Sequence, residues 1–151
     1  MGATLEAEPI EAVEHAIEAE FDALADFSAR AAHLVALGRA IERLPGEACC
    51  EENRVAGCQS LVWVVVQGDP ATRRLRIGVE SDSALMRGLL ALVLRLYDDR
   101  PPAAILAHEP AVIDRLLTGR SLAPSRANGL HLVVRRIRAA ARAHLEPGAA
   151  S

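Results

Sequence analysis

The stretch Asn53-Arg54-Val55-Ala56-Gly57-Cys58-Gln59-Ser60-Leu61-Val62-Trp63 is the most informative part of this chain. It places one cysteine at a turn, between the hydrophilic segment Glu51-Glu52-Asn53 and an apolar run that continues to Val66. Gly57, just before the cysteine, allows backbone conformations with φ > 0 that a side chain would penalise. A loop anchored at one end by a strand suits a thiol that must move in order to react.

Strands are predicted around this turn. The β-branched run from Leu61 to Gln67 predicts a buried strand, which Gly68-Asp69-Pro70 ends. The segment from Leu75 to Glu80 alternates apolar and polar residues, which predicts a half-buried antiparallel strand. A short extended piece around 54–56 precedes the cysteine. Together these segments predict a small antiparallel sheet of about three strands.

Helices are predicted on both sides of the strands. Their expected bounds are Pro9 to about Leu24, an Asp26 cap to about Arg43, a Ser81 or Asp82 cap followed by Ser83 to about Tyr97, a short helix from Pro102, Pro110 to Leu117, and Ser125 to His144. The helix ending at Tyr97 is apolar almost all round, which predicts a central buried helix. The last helix has an apolar face formed by Leu130, Val133, Val134, Ile137 and Ala141.

These elements predict the α+β class, with helices packed around the small sheet. A chain of 151 residues fits one domain, and we expect a single unit over 1–151 with its core at about 10–145 and frayed termini.

The chain contains no lysine, since all 17 of its basic residues are arginine. Schiff-base chemistry needs a lysine amine, so the chain is not expected to hold pyridoxal phosphate as an internal aldimine. It also lacks the lysine of a Walker-type phosphate loop. Arginine stays protonated, so the basic groups are fixed charges and not proton carriers.

Charge is distributed unevenly along the chain. Residues 1–52 contain twelve acidic residues and three arginines, whereas the segment from Arg115 to Arg142 contains seven arginines and no acid. The two regions form either solvated faces that partly neutralise each other or a partner surface with electrostatic steering. Nucleic acid is not an expected partner, because no aromatic residue lies in the arginine-rich segment and the chain is acidic overall.

Membrane insertion is not expected either, because Arg87 and Arg95 interrupt the longest apolar region. We see no basic segment followed by an apolar one at the N-terminus, and therefore no secretory signal. Three cysteines, an odd number, argue against a disulfide framework. A reducing, cytoplasmic location is the prediction.

The stretch around Cys58 resembles the signature of the SufE family of cysteine desulfuration proteins, the sulfur acceptors for iron–sulfur cluster assembly. Two further blocks agree with that family in order and spacing, as do the Leu37-Gly38 pair and the Leu44-Pro45 stop. The blocks are Ser81-Asp82-Ser83-Ala84 with Arg87-Gly88-Leu89-Leu90-Ala91 and Tyr97-Asp98, and Leu122-Ala123-Pro124-Ser125-Arg126 with Gly129-Leu130. The resemblance covers about Asp26 to Ala141 and implies a SufE/IscU-like fold.

The resemblance implies a persulfide relay. A cysteine desulfurase (SufS-like) that carries pyridoxal phosphate would hold sulfur as a persulfide, and Cys58 would take it and pass it to an iron–sulfur scaffold complex (SufBCD-like). The acceptor would stimulate the desulfurase. No cofactor and no metal are expected on this chain, which is not itself a pyridoxal-phosphate enzyme, and its missing lysines agree with that division of labour.

The site residues expected beside the nucleophile Cys58 are Gly57 as a hinge and Gln59 and Ser60 as hydrogen-bonding groups of the turn. The resemblance adds Asp82 and Arg126. Asp82 could equally cap its helix, and Arg126 could equally pair with an acid. Trp63 is expected in the core or as a lid against the loop.

Ala56 and the pair Cys49-Cys50 depart from the family pattern. Ala56 stands where the family often has proline, which predicts a more flexible turn. The paired cysteines are either incidental thiols, or one of them resolves the Cys58 persulfide or forms a regulatory disulfide with Cys58. Two other functions stay open: an IscU-like scaffold for a metal or cluster, which the cysteine spacing argues against, and a non-catalytic activator that docks on a desulfurase.

Overall fold

The computed structural model describes residues 8–58, 60–108 and 124–145, with the side chains of the last segment described from 128 onward. Its helices and strands are α1 (Ile10–Asp22), α2 (Phe27–Ala40), β1 (Val62–Gly68), β2 (Leu75–Ser81), α3 (Ala84–Tyr97), α4 (Pro102–Leu106) and α5 (Pro124–Leu145). Two short 3-10 turns, Gly46–Ala48 and Glu51–Asn53, lie between α2 and β1. The helix predicted from Pro110 to Leu117 lies outside the described residues.

The sheet is an antiparallel hairpin of β1 and β2, paired from Val62 opposite Ser81 to Gly68 opposite Leu75. The predicted α+β class is confirmed, but the described residues form two strands where about three were expected. The expected third strand is reduced to a single bridge between Arg54 and Trp63. It is so short because a 3-10 turn precedes Arg54 and the cysteine loop leaves the sheet soon after it.

Strand β1 is covered on one face only. Val62 and Val64 are buried, whereas Trp63 and Val65 are half-buried and Gln67 is exposed. The predicted buried strand is therefore confirmed as a strand, but it is buried only on the face of Val62 and Val64. The β-branched run did not distinguish a strand covered on both faces from a hairpin strand with helices on one face.

Helix α3 forms the centre of the core, as predicted. Ten of its fourteen residues are buried, and α1, α2 and α5 all pack against it. It begins behind Ser83, whose hydroxyl accepts a hydrogen bond from the Met86 N–H at 3.1 Å. The expected Ser81 or Asp82 cap is wrong by one or two residues. The Asp26 cap of α2 is confirmed, since its carboxylate accepts from the Ala29 N–H at 2.9 Å.

Helices α2 and α3 cross with their backbones in contact. A Cβ atom placed on Gly88 would lie 2.1 Å from the carbonyl oxygen of Leu34, so only glycine fits there. The buried guanidinium of Arg87 donates to the Gly38 carbonyl at the end of α2 and pairs with Glu80 of β2. These contacts fix the corner between β2 and α3, which faces the cysteine loop.

Among the described residues, no helix is both long enough and apolar enough to cross a bilayer.

Candidate functional site

The cysteine loop projects from a closed base at the start of the hairpin. The Val55 N–H donates to the Val62 carbonyl at 2.8 Å, next to the bridge between Arg54 and Trp63. Residues 56–58, 60 and 61 therefore lie in a loop whose two ends are held together. Gly57 has φ of +95°, in the region that side chains disfavour, so glycine is favoured at this position, and its role as a hinge stays a prediction.

The thiol of Cys58 is half-buried against the start of helix α5. Its Sγ lies 3.7 Å from the Gly129 carbonyl oxygen, to which it donates a weak hydrogen bond. A Cβ atom on Gly129 would approach Sγ to 3.2 Å and the methyl carbon of Met86 to 3.6 Å. The glycine thus leaves just enough room for the sulfur between α5 and the core.

Helix α5 contacts the loop along one stripe of its surface. Gly129 receives the thiol, and Leu132 packs so closely under Gly57 that an added Cβ there would lie 2.9 Å from its Cδ1. Arg136 lies one turn further along the same stripe, since positions i, i+3 and i+7 of a helix share a face. This stripe is rotated by about 120° from the apolar face of α5 that enters the core.

Arg136 holds the segment that leads into the loop. Its guanidinium donates to the carbonyl of Arg54 at 2.7 Å and to the carbonyl of Glu52. Carbonyls at the end of a helical turn lack partners within that turn, and an arginine fork can satisfy two of them at once. Sequence reasoning did not identify Arg136. The spacing of Gly129, Leu132 and Arg136 is the signal that could have found it.

Burial governs the protonation of the thiol. Desolvation raises the pKa of Cys58 above its ordinary value, and the positive charge of Arg54 opposes that rise. The sheltered sulfur is therefore protonated at neutral pH. Movement of the loop into water would remove the larger of these two effects and favour the thiolate, which is the reactive form.

Asp82 lies beside the loop and does not cap α3. Its carboxylate accepts a hydrogen bond from the Leu61 N–H at 3.0 Å, and its own N–H donates to the Leu61 carbonyl at 3.3 Å. The helix-capping alternative is therefore wrong, because Ser83 takes that place. Asp82 instead ties the outgoing end of the cysteine loop to the corner between β2 and α3.

The remaining predicted residues are placed less completely. Ser60 is half-buried within the loop, and Gln59 lies outside the described residues. Arg126 lies in the first turn of α5, three residues before Gly129, but its side chain is outside the described part.

Cys49 and Cys50 are half-buried, unpaired thiols between the two 3-10 turns. The Asn53 side chain donates to the Ala48 carbonyl at 2.8 Å and joins those turns to each other. Within the described ranges, no group of three or more His, Cys, Asp or Glu side chains could hold a metal ion. The scaffold alternative thus has no ligand set in that part of the chain.

Comparison with known proteins identifies the family of this chain. The chain matches the SufE family, described as an Fe-S metabolism associated domain, over residues 15–141. An uncharacterized SufE-like protein of Rhizobium etli is 34% identical over 122 residues, which cover 79% of this chain and 82% of that protein. The solution structure of a hypothetical protein from Thermus thermophilus has the same fold, with a TM-score of 0.67 at 20% identity over 88% of this chain and 95% of that one. The chain belongs to the SufE family and is associated with iron–sulfur metabolism.

Proposed function

We propose that this protein is a sulfur acceptor that takes persulfide sulfur onto Cys58 from a cysteine desulfurase (SufS-like) and passes it to an iron–sulfur cluster scaffold (SufBCD-like). The observation that supports this most directly is the position of Cys58. Its thiol sits on a loop held at both ends, sheltered by Gly129 and protonated through burial. A sulfur carrier needs such a group, because an exposed persulfide is readily lost to oxidants and other thiols.

The transfer step needs no further reagent. The Cys58 thiolate attacks the outer sulfur of the persulfide on the desulfurase, and the sulfur–sulfur bond of that persulfide breaks. The desulfurase cysteine leaves as a thiolate and takes up a proton, while the proton of Cys58 goes to solvent. The outer sulfur keeps its oxidation state and becomes the terminal atom of a Cys58 persulfide. Pyridoxal phosphate remains on the partner, which agrees with the absence of lysine here.

Two states of the loop fit these requirements. In the closed state the thiol faces Gly129 and is neutral, so it reacts slowly with small molecules. A docked desulfurase would draw the loop outward, where water and the Arg54 charge favour the thiolate. The partner must bind the open state better than the closed one in order to shift this equilibrium. Three unpaired thiols suit a reducing compartment, so we place this reaction in the cytoplasm.

The test is intact-protein mass spectrometry after incubation with a pyridoxal-phosphate cysteine desulfurase and L-cysteine. We expect a gain of one sulfur atom that a reductant reverses and that Cys58→Ser abolishes. The matched control is Cys49→Ser/Cys50→Ser, which should still gain the sulfur. The proposal fails if the cognate desulfurase is active and no sulfur is gained. If Cys58→Ser stimulates the desulfurase as strongly as the unaltered chain, the protein is a docking activator instead.

A further inference from the structure

We propose that Arg136 is a positioning residue for sulfur transfer: its two-carbonyl clamp on the segment Glu52–Arg54 holds the Cys58 loop closed on helix α5. This inference rests on the proposed function of Cys58, but the clamp itself is a property of the protein alone. Arg136 lies beyond the motif that surrounds the cysteine, 78 positions after Cys58 in the numbering of the chain.

The first support is the geometry of the clamp. The guanidinium donates at 2.7 Å to the Arg54 carbonyl and also to the Glu52 carbonyl, across more than eighty residues of sequence. Both acceptors belong to the 3-10 turn Glu51–Asn53 or to the residue that follows it. A planar fork that binds two carbonyls fixes the direction of this segment as well as its distance from α5.

The second support is the short connection from the clamp to the sulfur. Arg54 bridges to Trp63, and the adjacent Val55 closes the loop base through its 2.8 Å hydrogen bond to Val62. The clamp therefore acts on Arg54 and Val55, the incoming side of the base from which the Cys58 loop projects. A shift of that part of the chain away from α5 would carry the thiol away from Gly129.

The third support is that the clamp and the shelter belong to the same stripe of α5. Gly129 contacts the thiol, Leu132 lies under Gly57, and Arg136 holds the incoming segment. Among the described residues, loss of the last contact leaves the loop attached to α5 by a weak sulfur hydrogen bond and by apolar packing. The closed state should then open more often while the core, formed by another face of α5, stays intact.

The clamp also holds the backbone of Arg54, a residue whose positive charge acts on the thiol. The Arg54 side chain favours the Cys58 thiolate, and the Arg54 backbone is what Arg136 binds. Arg136 thus acts on the sulfur through Arg54 and touches neither the sulfur nor a transferred group.

The experiment measures alkylation of Cys58 by iodoacetamide in the full chain, quantified by peptide mass spectrometry so that Cys49 and Cys50 need no replacement. Arg136→Met keeps the apolar stem and removes the guanidinium. We expect this variant to raise the alkylation rate by about fivefold. Losing one net hydrogen bond of ordinary strength changes the ratio of open to closed loops by about that factor, and only the open loop is alkylated rapidly. Arg136→Lys keeps the charge but not the planar guanidinium. Its alkylation rate should lie between the rates of Arg136→Met and the unaltered chain.

Arg135→Met is the matched control, because Arg135 is the exposed neighbour and its loss changes the net charge equally. It should alkylate at the rate of the unaltered chain. An unchanged rate in Arg136→Met, or an equal rise in both variants, overturns the proposal. The rise in alkylation rate must also be independent of urea concentration well below the unfolding transition. A steep dependence on urea would assign the rise to global unfolding.

A second measurement uses protein loaded with persulfide by the desulfurase. Cyanide removes the outer sulfur of an exposed persulfide, so Arg136→Met should lose its sulfur faster than Arg135→Met by a similar factor. If the desulfurase cannot load the unaltered chain but the two variants still differ in alkylation rate, the clamp is supported and the proposed sulfur-acceptor function is rejected. If loading succeeds and both variants lose sulfur at the same rate, the clamp has no part in sulfur transfer.

Discussion

Leu61 and Asp82 hold each other by two hydrogen bonds: the Leu61 N–H donates to the Asp82 carboxylate at 3.0 Å, and the Asp82 N–H donates to the Leu61 carbonyl at 3.3 Å. This pair closes the outgoing end of the cysteine loop, as Arg136 closes the incoming end. The loop is therefore bounded by a carboxylate on one side and a guanidinium on the other, and neither group bonds to the thiol.

Replacement of Asp82 by alanine should loosen the outgoing end. Asp82→Ala removes the acceptor of the Leu61 N–H at an exposed site, so stability should fall by only about 1 kcal/mol. Hydrogen exchange of the Leu61 amide should accelerate, together with alkylation of Cys58. Asp69→Ala is the matched control, because Asp69 accepts from the Ala71 N–H at 2.9 Å in the turn at the opposite end of the hairpin. Unchanged exchange at Leu61 in Asp82→Ala would contradict the assignment.

Gly129→Ala should displace the thiol from its shelter. The added Cβ would lie 3.2 Å from Sγ, which is closer than most carbon–sulfur contacts, so the sulfur must move. Alanine favours a helix over glycine by about 1 kcal/mol, which should offset much of the steric cost. We expect faster alkylation of Cys58 with little change in the denaturation midpoint. Gly46→Ala, where an added Cβ meets nothing within 4 Å, should leave the alkylation rate unchanged.

The buried pair of Arg87 and Glu80 should matter far more for stability than its exposed neighbour. Arg87→Met leaves the Glu80 carboxylate buried without its main partner, and such losses cost about 3–5 kcal/mol. Arg43 contacts the same carboxylate at 3.5 Å, but its side chain is 76% exposed. Arg43→Met should therefore cost less than about 1 kcal/mol. Urea denaturation of both variants measures the difference, and equal losses would refute this assignment of the core ion pair.

Burial of Cys58 should make stability depend on pH in the alkaline range. Because folding raises the pKa of the thiol, the native state binds its proton more tightly than the unfolded chain. The resulting stability is fully present below the unfolded pKa of about 8.5 and is lost as pH rises through the higher folded value. Cys58→Ser should therefore lose less stability above that pH than the unaltered chain. Urea midpoints between neutral and alkaline pH provide the measurement, and parallel curves would contradict it.

Local signals were predictable from the sequence. The Asp26 cap is confirmed because a capping carboxylate and its N–H donor lie three residues apart and no distant group competes. The cap of α3 was misplaced because Ser81, Asp82 and Ser83 are all suitable. Ser83 takes the role since β2 continues to Ser81 and Asp82 is drawn to Leu61. That choice depends on the cysteine loop, which is distant in sequence.

Helical spacing marks the stripe on which Arg136 lies, but its contacts were not predictable from the sequence, for a related reason. Its partners are main-chain carbonyls, and every residue has one, so the residue types at 52 and 54 give no hint of the contact. The arginine-rich segment was expected to form either solvated or partner-binding faces. Arg138 shows a third use, because it donates to the carbonyls of Ile105 and His108 at 3.1 and 2.7 Å, at the end of α4. Arg136 and Arg138 thus each bind carbonyls at the end of a short helical segment, the turn Glu51–Asn53 and α4 respectively.

The single stripe of α5 that contacts the loop has a mechanical consequence. A helix is stiff over two turns, so the contacts at Gly129, Leu132 and Arg136 cannot shift independently of one another. The other face of α5 is anchored in the core, where Val133, Ile137 and Ala141 are fully buried. The helix therefore offers the loop one fixed surface, and opening moves the loop and not the helix.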